Sequence, residues 1–84
     1  MKIDTDKIIW RKVDDEETVV LDTESGNYYI FNEIATLILN SVADGLDVEK
    51  IVEIVVKQYD IGYNEAMGDV KSFLDNAVAE GIVQ

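Results

Sequence analysis

A chain of 84 residues, 48% of them apolar, closes one hydrophobic core and no more, because at this length folding buries only about 60–65% of the surface of the unfolded chain. The sequence has no cysteine and no histidine, which excludes disulfides, cysteine-ligated zinc, iron–sulfur clusters and thiol catalysis and removes the commonest general base and metal ligand. The net charge of −11 repels nucleic-acid phosphates and anionic membrane surfaces, favours basic or neutral partners and keeps the chain in solution.

The first third of the chain reads as strand. Ile8–Val13 is rich in β-branched and aromatic residues. An acidic turn, Asp14-Asp15-Glu16-Glu17, separates it from a second strand over Thr18–Asp22. Thr23–Asn27 forms a second turn, in which Gly26 accepts a positive φ without steric cost. Tyr28–Phe31 is a third strand. Short connections favour an antiparallel meander with the third strand at an edge.

The remainder reads as helix. Asn32 is the expected N-cap of the first, in which Ile34, Leu37, Ile38 and Val42 recur at helical spacing before Asp44-Gly45 ends it. Asp47 caps the second, with Val48, Ile51, Val52, Val55 and Tyr59 on one face. After the break at Asp60–Tyr63, Asn64 caps the third, whose stripe is Met67, Val70, Phe73, Leu74, Ala77 and Val78. Gly81 stops that helix, and Ile82 folds back on its last turn. Three strands followed by three helices predict an α+β fold, winged helix-turn-helix-like, with a three-stranded antiparallel sheet. No linker or repeat divides the chain, so residues 1–84 are expected to be a single domain. No apolar run approaches the roughly 20 residues of a membrane span, and Met1–Trp10 lacks the apolar core of a signal peptide. The expected location is the cytoplasm.

Catalytic chemistry finds no support. Ser25, Ser41 and Ser72 have no histidine to activate them. Ser25 reads as a turn residue and the other two as helix-surface residues. The acidic run at Asp14–Glu17 lacks the spacing of an EF-hand loop. No glycine-rich phosphate loop is present, and Gly68, inside the third helix, either permits a close backbone approach or is a tolerated weak point. The chain is therefore expected not to be an enzyme and to need no cofactor or metal. A winged-helix DNA-binding regulator is the obvious alternative. Its recognition helix would carry Glu65, Asp69, Asp75 and Glu80 against Lys71 alone, so repulsion would precede any contact.

The third strand is unusual. Tyr28 and Ile30 point one way, Tyr29 and Phe31 the other, and both faces are apolar or aromatic. An apolar edge without a lysine or proline guard is a template for another strand. Docking of a peptide, self-pairing into a dimer and an aggregation hazard are the readings of that edge, and complete cover of the second face by the third helix is the plain structural alternative.

The ordered set of Trp10, Val20-Leu21-Asp22, Ser25–Glu33, Ala35, Ile38, Asp44-Gly45, Val48–Val52, Tyr59, Asp69-Val70, Phe73-Leu74 and Glu80–Val83 resembles the PqqD-like family, named for a pyrroloquinoline quinone biosynthesis protein. The resemblance covers nearly the whole chain. It implies a recognition element that binds the leader segment of a ribosomally made precursor peptide and delivers it to a modifying enzyme, either a radical S-adenosylmethionine enzyme or a lasso-type peptidase or cyclase. The charge argues against nucleic-acid and membrane partners, and the expected state is a monomer or weak homodimer. The resemblance lays the leader along the third strand, in a groove against the third helix. It implies Asn27, Tyr28, Tyr29 and Ile30 for backbone pairing and adjacent pockets, and Met67, Val70, Lys71, Leu74 and Val78 for the helix wall. Periodicity leaves Val70, Leu74 and Val78 open between groove and core. Phe31-Asn32 stands where the family has Leu-Asn, and Asn76-Ala77-Val78 where a leucine is common, which implies a wider or shallower groove.

Overall fold

The computed structural model describes residues 1–14 and 16–84. Strands β1 (Ile8–Asp14), β2 (Glu17–Asp22) and β3 (Tyr28–Phe31) form an antiparallel sheet in the order β1-β2-β3. Asp15, part of the expected acidic turn, lies outside the described residues. Its neighbour Asp14 accepts a hydrogen bond from the Glu16 amide at 2.8 Å, and β2 begins one residue earlier than expected, at Glu17. The second turn is organised by a side chain. Oδ1 of buried Asp22 accepts from the amides of Glu24 at 3.0 Å and Ser25 at 3.2 Å, while Gly26 takes φ +81°.

Helices α1 (Glu33–Ala43), α2 (Val48–Tyr59) and α3 (Tyr63–Ala79) follow. Asn32 Oδ1 caps α1 through the Ala35 amide at 3.0 Å, and Asp47 Oδ1 caps α2 through Lys50 at 2.9 Å. The start of α3 differs from the Asn64 cap expected. Asp60 adopts the left-handed conformation, a conformation aspartate tolerates, and turns the chain early, so Gly62 occupies the N-cap position without a side-chain bond. Both α1 and α3 end in Schellman turns. Gly45 and Leu46 donate back to Val42 and Ser41, and Gly81 and Ile82 to Val78 and Ala77.

The core lies between the inner sheet face and the helices. Ile8 and Val20 meet Ile38, Leu39, Val42, Ile51, Val52, Val55, Ala66, Val70, Leu74 and Ala77. Ser41, expected at the helix surface, is buried instead; its hydroxyl donates to the Leu37 carbonyl at 2.8 Å, which satisfies it inside the packed face of α1. A Cβ added at Gly68 would meet nothing within 4 Å, so that glycine serves no close approach among the described residues. The fold is α+β, with α2 and α3 as a helix-turn-helix-like pair beside the sheet. No described helix is long and apolar enough to cross a membrane.

Candidate binding cleft at the edge of the sheet

Strand β3 pairs with β2 alone among the described residues. The register sets Val20 opposite Tyr29 and Thr18 opposite Phe31. The bond from the Asp22 amide to the Asn27 carbonyl at 2.9 Å continues this ladder at its start. In an antiparallel pair, hydrogen-bonded and non-hydrogen-bonded positions alternate. Asn27, Tyr29 and Phe31 therefore direct backbone groups at β2, whereas Tyr28 and Ile30 direct theirs at the free edge. Side chains alternate with them. Tyr28 and Ile30 stand on the outer face, 68% and 62% exposed, while Tyr29 and Phe31 pack inward against the core.

Under that inward face runs a cleft of about 410 Å³ between β3 and α3. The strand contributes Tyr29, Ile30 and Phe31; the helix side contributes Phe73, Asn76, Ala77 and Glu80. The rings of Phe31 and Phe73 meet edge to face at 5.2 Å, and Tyr29 lies 6.4 Å from Phe31. At one end the Tyr29 hydroxyl donates to Glu80 Oε2 at 2.9 Å, tying the strand to the end of the helix. That bond, reinforced by burial, raises the Tyr29 phenol above its ordinary value. Asp22 behaves oppositely. The Ser25 amide, the Glu24 amide and the Lys7 ammonium hold its carboxyl below the ordinary value despite the opposing effect of burial.

The residues singled out from sequence divide in two. On the strand, Tyr29 and Ile30 line the cleft and Tyr28 adjoins it on the open edge. Asn27 spends both backbone groups inside the turn, its carbonyl on Asp22 and its amide on Ser25 Oγ at 3.2 Å. On the helix, the expected wall of Met67, Val70, Lys71, Leu74 and Val78 is not what faces the cleft. Val70 and Leu74 are in the core and Met67 packs against it. Lys71, Leu74 and Val78 line a separate depression with Met1, Val48, Asp75 and Gln84. The reason is helical phase. The cleft face is the series Phe73, Asn76, Ala77 and Glu80, displaced from the expected series by one residue, about 100° of rotation. Its i, i+3, i+4, i+7 spacing was present in the sequence, but Asn76 and Glu80 broke the apolar stripe that signalled the other face. No group of three or more potential metal-ligating side chains gathers anywhere among the described residues.

No curated protein matches the chain significantly. Two solved structures are similar. "TbiB1 in Complex with the TbiA(beta) Leader Peptide" superposes with a TM-score of 0.93 at 24% identity, over 100% of this chain and 95% of that one. "Lasso peptide synthetase B1 complexed with the leader peptide" superposes with a TM-score of 0.85 at 23% identity, over 93% and 91%. Both share the three-strand, three-helix fold. The family described as "Coenzyme PQQ synthesis protein D (PqqD)" matches residues 17–83. A match over that much of the chain, on the fold just described, means that the protein belongs to the PqqD family.

Proposed function

We propose that the single domain of residues 1–84 captures the leader segment of a ribosomally synthesised precursor peptide and presents it to a modifying enzyme, without catalysing a reaction itself. The carrying observation is the vacant edge of β3 above an aromatic cleft. An extended peptide pairs its main chain with Tyr28 and Ile30, and alternate side chains drop beside Tyr29, Phe31 and Phe73. Main-chain bonds supply direction and register; the cleft supplies selectivity. Family membership supports the reading, as do the two similar folds, each of which holds a leader peptide of its own. The modifying enzyme is a radical S-adenosylmethionine enzyme or a lasso-type peptidase or cyclase, and the free protein is a cytoplasmic monomer or weak dimer.

The test is a titration with the leader of a precursor peptide encoded beside the gene, followed by amide chemical shifts and calorimetry. Shifts should concentrate on Tyr28–Phe31 and the Phe73–Glu80 face of α3. The Ile30 amide faces the free edge and not β2, so Ile30→Pro, which removes that donor, should leave a cooperative thermal transition in place while weakening binding at least tenfold, or about 1.4 kcal/mol. Shifts confined to the Lys71, Leu74 and Val78 side, or undiminished binding by Ile30→Pro, would refute strand addition.

A further inference from the structure

The cleft is apolar along its middle and acidic at one end. Phe31, Phe73, Ala35 and Ala77 form the apolar part; Glu80 stands at the other end beside Tyr29. Glu80 is also the C-cap of α3, where the backbone carbonyls concentrate partial negative charge, and the last turn of the helix contains no basic residue. One carboxylate oxygen, Oε2, accepts from Tyr29, and Glu80 forms no ion pair among the described residues. Lys7 stands nearby, its Nζ 2.7 Å from where a Cβ on Gly81 would stand, but its carboxylate contact is with Asp22 Oδ2 at 3.9 Å and not with Glu80. The Glu80 carboxylate itself therefore has no ion-pair partner among the described residues.

Geometry sets the spacing of what could answer it. Alternate side chains of an extended strand are about 6.6–6.8 Å apart, close to the 6.4 Å between the rings of Tyr29 and Phe31. A peptide side chain seated against Phe31 and Phe73 is thus followed, on the same face, by one beside Tyr29 and Glu80. We propose that Glu80 selects a lysine or arginine in the bound peptide, two positions from an apolar residue held by Phe31 and Phe73. This rests on the strand-addition reading above and adds a charge requirement to it. The net charge of −11 acts in the same sense at longer range.

A random peptide library displayed on phage, selected in parallel on the wild-type protein and on Glu80→Lys and Glu80→Gln, tests it. The wild type should enrich peptides with a basic residue two positions from a large apolar one. Glu80→Lys should retain the apolar preference and exchange basic for acidic at the paired position. Glu80→Gln, which keeps an acceptor for Tyr29, should lose the charge preference without inverting it. For one selected peptide, replacing its basic residue by glutamate should weaken wild-type binding about fivefold and restore affinity to Glu80→Lys. Binders that shift Tyr28–Phe31 amides but show no charge preference, or the same preference on all three proteins, overturn the role of Glu80 and leave strand addition standing. A selection whose binders leave Tyr28–Phe31 undisturbed overturns both.

Discussion

Asp22 holds one turn of the fold together through a single carboxylate. Its Oδ1 caps two amides and its Oδ2 faces Lys7 from inside the sheet, so the charged form is bound better in the folded chain than in the unfolded one. A carboxyl held below its ordinary value contributes stability that is complete above about pH 3.9 and is lost as the pH falls through that value towards the lower folded one. Acid simultaneously relieves self-repulsion in a chain of charge −11, so the overall pH profile hides the effect. The comparison with Asp22→Asn exposes it. The amide keeps an acceptor for the turn but has no charge to lose, so urea midpoints of wild type and variant should converge as the pH is lowered from about 6 to about 3. Parallel midpoints across that range would mean that the carboxylate adds nothing to the folded state. The sequence pointed to Gly26 as the turn-maker. Asp22, read there only as the end of a strand, takes its role from a buried position that only the paired sheet creates.

At the scale of elements, α3 presents three faces where the sequence displayed one broad stripe. Val70, Leu74 and Ala77 go to the core, Phe73, Asn76 and Glu80 to the cleft, and Lys71 and Val78 to the opposite side. The six apolar residues from Met67 to Val78 cover too much of the circumference for periodicity to separate these faces. Only the line along which the sheet packs fixes the phase. The strands were far more legible, because a four-residue strand that is apolar on both faces, at the end of a meander, has few places to go. The phase has a direct consequence for two neighbours. Leu74 is 6% exposed and Val78 55%. Leu74→Ala should cost about 2–5 kcal/mol through lost burial and a cavity, whereas Val78→Ala should stay within about 0.5 kcal/mol, both measured by urea denaturation. Equal costs would place the helix in a different rotation and take the cleft face with it.

The molecule as a whole is closed by its ends. The Lys2 amide donates to the Gln84 carbonyl at 3.0 Å, the Gln84 amide returns to Lys2 at 2.7 Å, and Asp4 donates to Ile82 at 3.1 Å. Ile3 bridges Val83, and Ile3, Ile82 and Val83 are all buried. Neither segment is long enough to signal a strand, and partners at opposite ends of a chain are invisible to local patterning, so this clasp had no signature in the sequence. Its N-terminal half also lies before residue 17, where the family match begins. Chain ends ordinarily fray at little cost, but burying a large aliphatic side chain is worth about 1.5–3 kcal/mol, and a domain has only about 5–15 kcal/mol in total. Removing residues 82–84 deletes two such side chains, the bonds to the N-terminal segment and the Schellman closure of α3. It also deletes Ile82 from the cleft. The truncated chain should show no cooperative thermal transition. Ile3→Ala separates the two contributions, since it loosens the clasp from the side that does not line the cleft. It should lower stability by about 2–5 kcal/mol and speed amide exchange at Lys2 and Gln84, yet bind peptide with unchanged affinity wherever it remains folded. Cooperative unfolding of the truncated chain near the wild-type temperature would show instead that the ends are ornament and that the sheet and helices hold the cleft open by themselves.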